Sequence, residues 1–446
     1  MLQGTSAVGV AGFAGYVGAV DDHNNGEWPD LSGHELHMIT AETTEPFQRL
    51  WTTLAEDFGE ATGASVDIEF AGIGGDYRER IIQLQQAGLP PDLAQSGIDE
   101  VSTWSGEGLL GDLTPAMEHF QEEWGEFDDD HVVVVDGEHQ LVPLHYNANM
   151  YHWRDDVWDV GPRTEPFTWD EQLELVSEHY GTDDMAGGYY PTQNEYCARV
   201  YAHAAAMRNE GRMAGRDEDG NLEIVVDSEY RDQWVEMLEW RQELKTEYGI
   251  LDPTGTCGTY SEQLAAGIVS SQEYFGARPK QNSIAGDQPW AEHVRSAPEP
   301  QREGSDGPTM GLVQGLTTFE GADIEAANEF VKFMLQPEYL IDYYMATPIH
   351  NAPTLPEIVE HELFQEELEE LPDEWIEEDY LNHLEHDNWM PAPLETDPIN
   401  EHYWGLFMSD GLWHMMWETL EEERDPGEAV DEGAEILRET LEDLQG

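Results

Sequence analysis

Residues 34–97 alternate strand and helix twice over, and that alternation commits the chain to a sheet with parallel neighbours. HELHMIT (34–40) alternates apolar and polar residues as a strand does. TTEPFQRLWTTLAEDFGEATG (43–63) puts Phe47, Leu50, Trp51, Leu54 and Phe58 on one helical face and stops at Gly63. ASVDIEFA (64–71) predicts a second strand, YRERIIQLQQAG (77–88) a second helix, and PPDLAQSG (90–97) a short third strand ending in a Ser-Gly turn. A β-α-β-α-β run implies parallel strands with ligand groups at their carboxyl ends. Gly72, Gly74 and Gly75 lack the GxGxxG spacing and have no acidic partner in place, so a nucleotide site is not expected.

The rest of the chain keeps to mixed elements. VVVVDGEHQLVPLHYNANMYHW (132–153) predicts a hairpin turning at Asp136-Gly137 and running into a long extended segment. Helices are expected over 166–180, capped by Thr168 or Asp170, and over 194–211 and 228–245. Residues 261–275 read as a helix passing to a strand, 278–308 as irregular, and 310–319 as a strand with a glycine break. AANEFVKFMLQPEYLIDYYMATPIHNAP (326–353) is an amphipathic helix, a stop at Pro337, a second short helix and a loop ending in His350, Asn351 and Pro353. Residues 355–446 read as helical throughout, and no internal repeat is present.

Charge decides what surrounds this fold. The 446 residues carry 95 Asp and Glu against 19 Lys and Arg, a formal net charge of −76, and the only lysines are Lys245, Lys280 and Lys332. The acids are spread through helices that also have apolar faces, and aromatics make up 10% of the chain, so this is a folded protein with an acidic coat rather than a disordered acidic chain. Such a coat repels itself at low ionic strength and is screened at molar salt, where the Debye length is about 3 Å. The composition is that of a halophile's protein, for which nucleic acid and anionic membrane are poor partners. The length allows two domains or two lobes of one fold. Cys197 and Cys257 are not spaced as a metal pair; they are one disulfide or two buried thiols.

Five segments, in order, resemble the extracellular solute-binding family of sugar transporters. They are YRERIIQLQQAGLPPDLAQSG, DGEHQLVPLHYNANMYHWRDDVWD, PFTWDEQLEL, the 326–353 unit, and the closing helix RDPGEAVDEGAEILRETLEDL (424–444). The resemblance spans roughly residues 34–446. It implies an α/β, two-lobed periplasmic-binding-protein-like fold with mixed sheets, flanking helices and a ligand cleft between the lobes. The expected division is 33–145 with 311–340 in one lobe and 146–310 with 341–446 in the other. It also implies a monomeric extracellular receptor that delivers a sugar to a membrane permease and its ATPase. GTSAVGVAGFAGYVGAV (4–20) is too short and glycine-rich for a membrane span and has the look of a signal-peptide apolar region, or else of a disordered cytoplasmic tail. LQGTSAVGVAGFAG resembles the inner part of twin-arginine export signals of haloarchaea. Tyr16 stands where a lipoprotein signal would have Cys, so no lipid anchor is expected. Residues 21–32 read as a linker.

Sugar binding needs rings to stack on pyranose faces and planar polar groups to bond hydroxyls. Candidates lie at strand ends and crossings. Thr44 and Glu45 follow the first strand, or simply cap the helix. Ser96 ends the third strand, or merely turns it. Tyr146 and Asn147 lie on the first crossing. Tyr196 belongs to a cluster with Tyr189, Tyr190 and Gln193. Phe275 follows a strand, or is core. Gln314 and Gly315 mark the glycine break, and His350 and Asn351 end the last crossing. Trp51 and Trp169 read as core. Trp404, Trp413 and Trp417 share a helical face and read mostly as core. With 95 acids, carboxylate pairs arise by chance, so no glycosidase pair is assigned. His131, His139 and His145 lie across a turn with no carboxylate to orient them; neither metal nor cofactor is expected. The alternatives to a sugar receptor are a polysaccharide-active enzyme and a receptor for a polyol or peptide.

Overall fold

The computed structural model describes residues 28–71, 75–127, 132–135, 137–179, 191–248, 260, 262–347, 350–369, 371, 388–396 and 399–445. Strands β1 (Glu35–Thr40), β2 (Ser65–Phe70) and β3 (Leu93–Gly97) are parallel neighbours, linked by helices α1 (Glu45–Thr62) and α2 (Gly75–Gln86). α1 closes at Gly63, which takes the left-handed conformation at φ 80° and donates its N–H to the Gly59 carbonyl. β3 runs straight into α3 (Ile98–Gly106), followed by α4 (Thr114–Trp124).

After a small hairpin of β4 (Val134–Val135) and β5 (Glu138–His139) comes β6 (Val142–Arg154), 13 residues that are all buried. This strand joins two sheets into one. Its first half pairs antiparallel with β11 (Thr309–Thr318), which pairs in turn with β3. Its second half pairs antiparallel with β9 (Ser271–Phe275) and β10 (Val294–Pro298). The path is therefore β10-β6-β11-β3-β1-β2, with β9, β12 (Ala352–Pro353) and β13 (Trp389–Pro391) attached at its sides. β7 (Ala214–Arg216) and β8 (Leu222–Ile224) form a separate hairpin. The glycine break in β11 is a register shift between Gln314 and Gly315. A Cβ on Gly315 would lie 2.0 Å from the Val142 carbonyl oxygen, so only glycine lets the two strands come this close.

β6 turns into α5 (Asp155–Trp158) and leads to α6 (Trp169–His179). Thr168 caps α6 reciprocally with Glu171: the Glu171 N–H donates to Thr168 Oγ1 at 3.1 Å, and the Thr168 N–H donates to Glu171 at 2.9 Å. α7 (Tyr196–Arg208) and α8 (Arg231–Tyr248) pack with the C-terminal helices around Trp153, Phe167, Tyr201, Trp234, Phe407 and Leu437. A second core gathers Phe47, Trp51, Phe58, Phe120 and Phe330. A third lies on the opposite sheet face and includes Ile39, Ile81, Ile98, Tyr146 and Val313. Among the described residues, no helix is long and apolar enough to cross a membrane.

Several expectations need correction. Tyr343, Tyr344, Leu355, Ile358, Phe364 and Leu368 pack in one core with Phe47 and Trp51, whereas Leu406, Leu412 and Leu437 pack in the core of Trp153. Residues 263–267 form turns, because Gly267 adopts φ 71° and ends any helix there. The stretch 278–308 holds a helix, Arg278–Ala285, which Pro279 helps to start, as well as β10. The C-terminal region is not helical throughout, since Trp389–Pro391 pairs parallel with Thr309–Gly311. His139 and His145 stand on separate strands, and His145 bonds the Tyr343 hydroxyl. His131, Asp136, Gly72, Gly74 and the segment 1–27 lie outside the described residues. Cys197 is disulfide-bonded, and Cys257 also lies outside the described residues.

Candidate functional site

The carboxyl ends of β1 and β3 meet a charged cluster. Where β3 becomes α3, Glu100 accepts the Gly97 N–H at 2.7 Å and fixes the junction. Arg78 reaches in from α2, bonds Glu100, and places its guanidinium 3.8 Å from Asp99. Asp99 is 5% exposed and Glu100 4%. Burial, reinforced by the charge on Glu100, pushes the Asp99 carboxyl well above the usual carboxylate range, and Arg78 works against that shift. Burial opposes the charge on Arg78, but Glu100 and Asp99 outweigh it and hold the guanidinium protonated.

Two rings from the other lobe face this cluster. The Arg78 guanidinium lies 4.0 Å from the Trp404 ring centroid and 5.1 Å from that of Tyr196. Tyr196 opens α7, and Trp404 sits on the helix Tyr403–Met408; their rings are 6.0 Å apart and tilted by 31°. The Trp404 backbone N–H also donates to Thr103 Oγ1 on α3 at 3.2 Å. A buried chain steadies the Trp404 helix. Tyr403 Oη and His203 Nδ1 are 3.0 Å apart, and Glu395 lies 3.3 Å from His203 Nε2. Glu395 also accepts the backbone N–H groups of Met213 and Ala214.

Deeper, the crossings form a polar floor. Thr40 Oγ1 donates to Gln95, whose amide donates to the Tyr343 hydroxyl at 2.9 Å; that hydroxyl is 2.6 Å from His145 Nδ1. Glu42 lies 3.7 Å from Arg278. Burial raises its pKa, and Arg278 opposes the rise. With its amide turned to donate, Asn147 bonds the His350 carbonyl at 2.7 Å. Gly276, at φ +61°, leaves room for the His350 ring: a Cβ there would sit 2.3 Å from Nδ1. Asn351 is fully buried, and neither of its amide atoms has a hydrogen-bond partner among the described residues.

Of the residues expected at the site, Ser96 lies 3.2 Å from the Tyr77 hydroxyl, next to the charged cluster, and Tyr196 is one of the facing rings. Asn147, His350 and Asn351 belong to the floor. Tyr146 is 4% exposed and stacks on Trp389 at 4.3 Å with 8° between the planes. Phe275 packs on Tyr201 within the second lobe's core. Gln314 pairs with Gly97, whereas Gly315 serves the close approach to β6. Thr44 holds the N-cap position of α1 without a side-chain cap bond. Glu45 is exposed on the first turn of α1, where it complements the helix dipole. Tyr189 and Tyr190 lie outside the described residues. Sequence reasoning missed Glu42, Arg78, Asp99, Glu100 and Arg278. A signal existed: Asp99 and Glu100 come just after the Ser-Gly end of a strand, separated from it by Ile98, and Arg78 is one of few cations in an acid-rich chain.

Two α/β lobes that share a strand, with charged groups of one facing rings of the other, define a two-lobed binding protein. The chain belongs to the bacterial extracellular solute-binding protein family, whose model matches residues 53–372. No match is found among curated proteins. Solved structures share the fold. The maltose-bound MalE3 of T. maritima is 17% identical, with TM-score 0.71, over 91% of this chain and 99% of that one. A sugar transporter protein from Arthrobacter chlorophenolicus with bound laminaribiose is 14% identical, with TM-score 0.74, over 91% and 99%. An ABC transporter solute-binding protein from Agrobacterium radiobacter in complex with ribitol is 17% identical, with TM-score 0.67, over 92% and 99%.

Proposed function

We propose that this chain is the extracellular receptor of an ABC transporter and captures a sugar or oligosaccharide between its lobes for delivery to the permease and its ATPase. The observation that carries this reading is the meeting of the Tyr196 and Trp404 rings with Asp99, Glu100 and Arg78 across the lobes. Rings and planar polar groups together suit a molecule with apolar faces and many hydroxyls. The ligands of the structural neighbours, maltose, laminaribiose and ribitol, support the same class. In this reading the site draws on Ser96, Tyr196, Asn147, His350 and Asn351, and Gln314 flanks it. The division into lobes follows the cores, with 33–145, 311–371 and β6 up to about Ala148 on one side. The receptor acts as a monomer and catalyses no reaction. It is exported by the twin-arginine route, and a disulfide at Cys197 fits an oxidising compartment.

Calorimetric titration of the protein at molar salt with maltose, laminaribiose, mannitol and ribitol tests the reading. The expected result is saturable binding of at least one, with a dissociation constant of about 1 μM or below, and no change in the sugar on overnight incubation. Hydrolysis of an oligosaccharide would favour the enzyme reading instead.

A further inference from the structure

Arg78 sits where a stacked ligand would have to sit. Its guanidinium covers the Trp404 face at 4.0 Å and reaches Tyr196 at 5.1 Å, while its N–H groups face Glu100 and Asp99. The side chain is 17% exposed, so it is enclosed by both lobes rather than lying along the surface. A planar cation over an indole is held by the ring quadrupole, and more strongly where water is excluded. A pyranose stacks through the same face with its polarised C–H groups, and its hydroxyls donate to carboxylates as guanidinium N–H groups do. Two occupants of such similar chemistry cannot share one ring face.

We propose that Arg78 is a specificity-determining residue that competes with the ligand for the aromatic face of Trp404, so that a ring sugar must displace it whereas an acyclic polyol need not. The proposal rests on the reading of this cleft as the ligand site. Displacement does not leave the acids bare, because sugar hydroxyls take over the bonds to Glu100 and Asp99. An acyclic polyol has no flat apolar face; it binds through hydroxyls alone and leaves Arg78 on its ring. Arg78 also bridges the lobes, so it holds them together before any sugar arrives.

The test compares the parent with Arg78→Gln, which keeps a polar partner for Glu100 but removes the stacked cation, and with Trp404→Leu. Without added sugar, small-angle scattering should show a larger radius of gyration for Arg78→Gln and for Trp404→Leu. The double variant should show no further increase, because both substitutions break one contact. Maltose binding to Arg78→Gln should strengthen about tenfold, with a much smaller gain, or a loss, for mannitol. Weaker maltose binding would make Arg78 a direct ligand donor and overturn the proposal. So would an equal gain for maltose and mannitol, or lobes as close in Arg78→Gln as in the parent. Should neither compound bind any of the chains, the sugar-receptor reading fails on its own, and the scattering comparison still decides whether Arg78 clamps Trp404.

Discussion

Glu299 shows how one buried group couples this protein to pH. It follows β10, is 1% exposed, and takes a hydrogen bond from the Asn149 amide on one oxygen, while the other oxygen is buried with no partner among the described residues. Arg241 and Glu273 pair at 2.8 Å within the same network. Burial, with the charge on Glu273 adding to it, lifts the Glu299 pKa to about 8 from an ordinary 4.5, although Arg208, Asn149 and Arg241 all lower it. A carboxyl raised in the folded state binds its proton more tightly there than in the unfolded chain. Stability therefore falls as pH rises from about 4.5 to about 8 and levels off above that. Glu299→Gln keeps the shape of the protonated acid and removes this slope. Its melting temperature should exceed the parent's by about 2 °C or more at pH 8 and match it near pH 5. An equal loss at both pH values would mean that Glu299 is ionised and paired. The same network explains what could be read in advance. Asn147 and His350 stood out because they lie on crossings, and Tyr196 because it belongs to a cluster of tyrosines. Asp99, Glu100, Glu42 and Glu299 did not, because in a chain with 95 acids a carboxylate becomes distinctive only once its burial is known.

At the scale of elements, the join between the two halves of the sheet depends on how closely β6 and β11 approach. Gly315 faces the Val142 carbonyl across the register shift, and backbone cannot move aside as a flexible side chain can. Gly315→Ala should cost about 1–3 kcal/mol in stability, read as a lower denaturant midpoint with an unchanged slope. Stability equal to the parent's would show that the bulge relaxes freely. The alternating strands and helices of residues 34–97 were legible because each is long enough to show its own period. Trp389–Pro391 was not, since three residues have no period. Pro279 misled because a proline that begins a helix looks in sequence like one that breaks it. The packing of the residues after 340 was not legible for a different reason. An apolar helical face shows that a helix packs, but Tyr343 and Tyr344 do not say against which lobe.

The whole molecule is governed by its surface charge. Cations are few and shared: Arg424 lies 3.0 Å from Glu418, 2.7 Å from Glu432 and 3.7 Å from Glu428. Exposed pairs of this kind add little stability individually, so the net charge of −76 is left for dissolved ions to screen. The unfolding temperature should climb as potassium chloride rises from about 0.1 M, where screening reaches about 10 Å, towards molar concentrations. Circular dichroism during dialysis into dilute buffer should show the fold being lost. A melting curve that does not shift across that range would mean that repulsion does not limit the fold. The acidic coat can vary along most of the surface without touching the cleft, but β6 cannot. Because its residues belong to both sheets, neither lobe can be lifted out whole and joined to the lobe of a relative. A lineage of such receptors cannot acquire a new diet by shuffling halves; it has to do so position by position, on elements such as α2 and the Trp404 helix that a single lobe owns.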